Sequence, residues 1–262
     1  MTSQTATAER SPAPAHPGAR SWLLLAVCEA KMVIRDTAGL IVPFGLPVLI
    51  LVMSASSASE TVITGGRTAL DIHVIPLVFT MVVGLIGVVN TPSFLSAYRR
   101  TGVLRRLGTT PASPAMVLVA QVAVGVVQAV LGMAVAFGAA VLFFGAKPPI
   151  DTGAALGALA LGIAVMFALG MVVAAVAPTP NSALAMGLVA YLGLGALGGM
   201  FGGKESLPDG VARVGEWLPF GAAVDVLSSA WAGEGVPGPQ MAVLAATAAA
   251  SAVIAAVFFR WE

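Results

Sequence analysis

From Thr152 to Gly203 the chain carries no charged side chain, and this feature narrows the possible folds more than any other. An apolar run of that length cannot be solvated as a surface, and it far exceeds the ~20 residues with which a helix crosses a bilayer. It must cross more than once. Pro178-Thr179-Pro180-Asn181 supplies the break, because two prolines so close together withhold the backbone donors a helix needs. The run therefore divides into spans over residues 153–177 and 182–202.

The same criterion sorts the rest of the chain. Charge-free runs at 72–98 and 107–146 hold a second span at 72–95 and a third at 115–144. A first span is expected at 37–54, with Pro43 and Pro47 kinking or thinning it, and a sixth at 240–259. Composition agrees: 58% of residues are hydrophobic and 10% charged, against roughly 25% charged in soluble domains. The expectation is an all-α integral membrane protein, one polytopic bundle over 21–262, preceded by a Ser/Thr/Ala/Pro-rich tail at 1–20 that reads as disordered and cytoplasmic. The single Cys28 excludes an intrachain disulfide and a Cys-pair metal site.

Net charge is only +1, but the charges are unequally shared between the two faces. With six spans, one side carries nine Lys/Arg against four Asp/Glu and the other four against eight. The positive-inside rule makes the first side cytoplasmic and puts both termini there. Lys147, Lys204 and the acidic segment to Glu234 then face outward. Two segments are neither spans nor simple loops. Ser21–Asp36, SWLLLAVCEAKMVIRD, suits an interfacial helix, although its charges do not gather on one face. The outer segment 204–239 alternates acids with Trp217, Leu218, Phe220, Val224, Leu227 and Trp231, and Val224, Leu227 and Trp231 share a helical stripe. It predicts short helices dipping into the outer leaflet.

Four of the thirteen Lys/Arg residues fall in one island, Tyr98–Pro111, YRRTGVLRRLGTTP. If it is helical, Val103, Leu104 and Leu107 share one side while Arg105 and Arg106 point elsewhere, the shape of a docking segment. The order Arg99 or Arg100, Gly102, Val103, Leu104, Arg106, Leu107, Thr110, Pro111 resembles the loop between the second and third membrane helices of type-2 ATP-binding-cassette (ABC) exporter permeases, above all the drug-resistance type. Thr101 stands where that family usually has an acid before the glycine. Arg35-Asp36 resembles the end of the family's elbow helix, and Leu207-Pro208 and Leu218-Pro219-Phe220 are similar to its outer re-entrant turns.

The resemblance implies a separate soluble ATPase that docks on loop 96–114 through Arg99, Arg100, Gly102, Val103, Leu104, Arg105, Arg106, Leu107, Thr110 and Pro111. It also implies a second permease copy or a related permease, and ATP and Mg bound by the partner, with no cofactor on this chain. The expected role is export of a hydrophobic or amphipathic compound, an antibiotic, drug or lipid, across the bacterial cytoplasmic membrane. Membrane lipids are expected partners and nucleic acid is not.

GGMFGGK at 198–204 approaches a phosphate-binding loop, but Glu205 replaces the hydroxyl that would hold Mg²⁺ and no strand precedes it. Gly195 and Gly199, spaced i and i+4, are the candidate dimer seam, with intrachain packing as the alternative. Asn90, Gln121 and Gln128 are the candidate pathway-lining groups. Gln121 and Gln128 share one helix face, and hydrogen bonding between helices is the alternative for them. No Asp, Glu, Lys or Arg falls in mid-span, where ion-coupled carriers place their relays, and no catalytic or metal-ligand cluster does either. An ion-coupled carrier and a non-transporting scaffold or sensor remain as the other classes.

Overall fold

The chain was analysed as a computed structural model, which describes residues 18–59, 62–102 and 114–258. An N-terminal helix, α1 (Ala19–Arg35), is followed by the first span within α2 (Thr37–Ala58). A small antiparallel hairpin, β1 (Val62–Thr64) and β2 (Arg67–Thr68), leads into the second span, α3 (Leu70–Arg100). The third, fourth and fifth spans are α4 (Pro114–Phe144), α5 (Thr152–Val176) and α6 (Pro180–Leu197). Two short helices, α7 (Asp209–Glu216) and α8 (Pro219–Ala232), precede the sixth span, α9 (Gly238–Phe258). Six helices are thus long and apolar enough to cross a membrane.

The second span is the axis of the bundle. Its most apolar window is 89% buried, whereas the other five spans bury a third or less of theirs. Their outer faces carry exposed Leu131, Val135, Val189, Val253 and Val257, a surface suited to lipid and unsuited to water. The fourth and sixth spans pack along each other, and α8 packs on the fourth, sixth and second. Phe79 of the second span meets the Trp231 ring edge-on at 5.5 Å and Phe137 of the third at 6.3 Å.

Several sequence boundaries need correction. The second span runs from Leu70 to Arg100 rather than 72–95, because Asp71, Arg99 and Arg100 are carried on the helix itself. The fifth helix ends at Leu197, not 202: Gly199, Gly202 and Gly203 take positive φ of 86°, 140° and 80° and turn the chain away. The outer loop holds a hairpin that short polar spacing did not announce. The stripe Val224, Leu227 and Trp231 is buried at 9%, 2% and 2% exposure, so α8 belongs to the core of the bundle rather than resting beside it.

Candidate functional site

The site of interest is the end of the second span that enters the basic island. It is built from backbone groups that prolines have released. Pro43 has no N–H, so it leaves the carbonyl of Gly39, four residues earlier, without its helical donor. Two side-chain amides take that place: Asn90 Nδ2 donates to Gly39 O at 2.7 Å and Gln128 Nε2 donates to it at 2.8 Å. One carbonyl with two lone pairs thereby joins the first, second and third spans. Two of the three candidate pathway residues therefore sit at a helix junction. Gln121, on the same helix as Gln128, is buried, and its Oε1 has no hydrogen-bond partner among the described residues.

A second proline, Pro92 of the second span, acts in the same way just past Asn90. Residues Leu85–Asn90 form a π-helical segment, and the N–H and hydroxyl of Thr91 both donate to Ile86 O. Pro92 donates nothing to the carbonyls four and five residues before it, Val88 and Gly87. Each of these meets a glycine of another span. A Cβ built on Gly170 would lie 1.9 Å from Gly87 O, and one built on Gly187 would lie 2.4 Å from Val88 O. Only glycine permits backbones so close, and Cα–H···O contacts are the expected substitute for the missing donor. Sequence reasoning missed both glycines. Their signal was a lone glycine in mid-span opposite an Asn-Thr-Pro step, legible only once the pairing of spans is known.

The island begins on the last turn of this helix. Arg99 donates through Nη2 to Ala174 O and, at 2.8 Å, to Ala177 O, the unsatisfied carbonyls at the C-terminal end of the fourth span, where cationic donors are favoured. Arg100 is exposed, and Gly102 closes the helix at φ 68° with its N–H donating to Arg99 O at 3.1 Å. Tyr98 points the other way and donates to the Glu29 carboxylate of α1 at 2.5 Å, beside Val117 and Leu25. Burial pushes the Glu29 carboxyl above the ordinary carboxylate range, and the Tyr98 hydroxyl pulls it part of the way back. This pair, too, escaped the sequence reading; its signal was a lone acid on a helix otherwise apolar and basic. Val103, Leu104, Arg105, Arg106, Leu107, Thr110 and Pro111 lie outside the described residues.

The candidate dimer seam fares differently. Gly195 and Gly199 are buried inside the chain: a Cβ on Gly195 would meet the Met200 sulfur at 2.8 Å, and Gly199 holds a left-handed turn against Lys204. Neither presents a bare backbone to a second copy. Lys204, the lysine of the near phosphate loop, is engaged in an ion pair with Asp225. At the same end of the bundle, Asp71 accepts from Lys147 N at 2.7 Å and from Thr68 N at 3.2 Å, while Lys147 Nζ donates to Gly66 O at 2.7 Å. These bonds tie the hairpin to the turn between the third and fourth spans.

An N-terminal helix, a buried second span with five further apolar helices around it and a pair of short helices before the last define a polytopic α-helical membrane protein. The sequence matches the model of the ABC-2 type transporter membrane family over residues 20–231, most of the chain, and the protein belongs to that family. It is an ABC-type permease component. No curated protein matches the chain.

Proposed function

We propose that the chain is the membrane subunit of an ABC exporter, moving a hydrophobic or amphipathic compound, an antibiotic or a lipid, outward across a bacterial cytoplasmic membrane. Hydrolysis of ATP, with its Mg, belongs to a separate ATPase subunit. The permease works as a pair, with a second copy or a related chain, and both termini face the cytoplasm. Drug efflux is the preferred role because the order of residues in the island is most similar to drug-resistance permeases.

The observation that carries this reading is where the island is rooted. It leaves the most buried helix of the bundle, one residue after a tyrosine bonded to the elbow and at an arginine bonded to the end of the fourth span. A push on such a loop reaches three elements at once. Val103, Leu104 and Leu107 would dock in an apolar groove of the ATPase, oriented by Arg105 and Arg106.

The test is co-purification of the tagged permease with a co-expressed soluble ABC ATPase, with ATP hydrolysis and efflux measured. Leu104→Asp should lose the partner, because burying an unpaired carboxylate in an apolar contact is costly. Arg105→Glu with Arg106→Glu should weaken association in a salt-dependent way. Retention of the partner and of full efflux by Leu104→Asp would remove this loop from the docking role.

A further inference from the structure

The elbow helix, which as a sequence seems to scatter its charges, is sorted by the fold. Its one acid, Glu29, is 3% exposed and turned inward to Tyr98. The next carboxylate, Asp36, lies over the first turn of α2, its Oδ2 only 2.5 Å from where a Cβ on Gly39 would stand. What remains outside is cationic. Arg20, Lys31 and Arg35 are all exposed, and among the described residues no carboxylate pairs with them. Lys31 and Arg35 are one turn apart and Arg20 lies about three turns before Lys31, so at ~100° per residue the three fall within one arc of about 60°.

Leu24, 67% exposed, shares that arc, and beside it runs a purely apolar one. Leu23, Val27 and Ile34 are 66%, 42% and 65% exposed and share the face between the basic arc and the side packed on the third and first spans. Helices that lie in a bilayer interface have this order of faces: apolar side chains reach the acyl boundary, and cations sit at headgroup depth with their stems along the apolar surface. Trp22, 38% exposed near the start of the helix, suits the same depth.

We infer that the Arg20–Lys31–Arg35 face of the elbow helix binds anionic phospholipid headgroups in preference to zwitterionic ones. Inward rotation of Glu29 is what makes the face selective, since an acid on the same arc would cancel part of the attraction. The consequence extends beyond anchoring. The elbow is bonded through Glu29 to Tyr98, the residue before Arg99, so lipid held on one face of α1 bears on the root of the basic loop from the other. This inference does not depend on what the chain transports, or on whether it transports at all.

Cys28, the single cysteine and an exposed one, lies three residues before Lys31 and reports on this face. The wild-type chain, labelled there with a fluorophore, would be reconstituted into phosphatidylcholine bilayers doped with nitroxide-bearing phosphatidylglycerol or nitroxide-bearing phosphatidylcholine. Quenching should give a preference of about tenfold for the anionic lipid at low salt, the scale expected of a few cations at an anionic surface. The preference should fall toward one in the Arg20→Gln, Lys31→Gln, Arg35→Gln variant and at high salt. Arg20→Lys with Arg35→Lys should retain it. If the triple variant does not reconstitute, the single variants Arg20→Gln and Arg35→Gln should each lower the preference about twofold. Equal quenching by the two lipids in the wild-type chain would overturn the inference. So would a preference that survives the elbow substitutions and disappears on Arg105→Gln with Arg106→Gln, which would assign it to the loop.

Discussion

The Tyr98 hydroxyl donates to the Glu29 carboxylate at 2.5 Å, across sixty-nine residues of sequence, and it is the bond that fixes the elbow helix to the foot of the second span. Both groups are buried. Removing the donor leaves a carboxylate in an apolar wall, so Tyr98→Phe should cost about 1–3 kcal/mol, whereas Glu29→Gln keeps an acceptor and should cost less. The pH response separates them. Glu29 has a folded-state pKa above its ordinary value, so its protonated form is favoured by folding; its contribution is present at acid pH and lost as pH rises through the folded value. Tyr98→Phe should raise that pKa further and steepen the loss, and Glu29→Gln should abolish it. Thermal unfolding in detergent across this pH range is the measurement, and an identical pH profile for the wild type and Glu29→Gln would contradict the assignment.

The Gly39 carbonyl offers a test by restoration. Asn90→Ala and Gln128→Leu each remove one of two donors and should each cost about 0.5–1 kcal/mol, near the average for hydrogen bonds between membrane helices. Together they orphan the carbonyl, and the double variant should cost more than the sum. Pro43→Ala returns a backbone N–H four residues downstream, so in the double variant it should recover part of the loss. Steric-trap or denaturant unfolding in mixed micelles reads all four; strict additivity without rescue would show that the junction is held by packing alone.

Much of this architecture was legible in the chain. Charge-free length and the Pro178–Pro180 break gave six spans, because solvation and hydrogen-bonding rules act on each segment separately. Val224, Leu227 and Trp231 do share one face, as their spacing implies, but that face is turned into the bundle core. What escaped depends on which helix meets which. Pro43 announced a released carbonyl, but only the packed bundle shows that Asn90 and Gln128 receive it. Gly195 and Gly199 have the spacing of a seam, yet that spacing equally serves a turn folded back on Met200 and Lys204. Glu29 is, in sequence, one of the scattered charges of an interfacial helix, and only the packed bundle sets Tyr98 beneath it.

Gly170 and Gly187 make the sharpest packing claim. With carbonyl oxygens at 1.9 and 2.4 Å from any added Cβ, Gly170→Ala and Gly187→Ala should each destabilise by about 1–3 kcal/mol, the usual scale of overpacking. Gly157→Ala is the control, since Gly157 is exposed with nothing within 4 Å of an added Cβ. Yield of folded protein and midpoint of thermal unfolding should rank Gly157→Ala near wild type and the other two well below it. Equal tolerance of all three would mean that the spans do not approach at the π-helical segment.

Arg99 carries the prediction closest to transport. Its guanidinium bonds the carbonyls of Ala174 and Ala177, both through Nη2, whose N–H groups are fixed in the guanidinium plane, whereas a lysine ammonium, a point charge on a flexible stem, holds the geometry less well. Arg99→Ala should cost about 1.5–3 kcal/mol, the range for hydrogen bonds from a charged group, discounted toward its lower end because the side chain is half-exposed. Arg99→Lys should fall between this variant and wild type. Arg100→Ala, next in sequence but exposed, should cost little. On the proposed function the three differ in coupling as well as stability. The guanidinium is turned to the fourth span rather than to a docking partner and the apolar docking residues are untouched, so Arg99→Ala should still bind the ATPase, while movement of the loop no longer reaches the fourth span. ATP hydrolysis should then persist with reduced efflux, whereas Arg100→Ala, which breaks no bond to the fourth span, should leave the ratio of efflux to hydrolysis unchanged even where it weakens docking. Efflux and hydrolysis measured on the same reconstituted vesicles give the ratio directly; an unchanged ratio in Arg99→Ala would leave Arg99 as a cap on the fourth span with no part in transmitting the loop's motion.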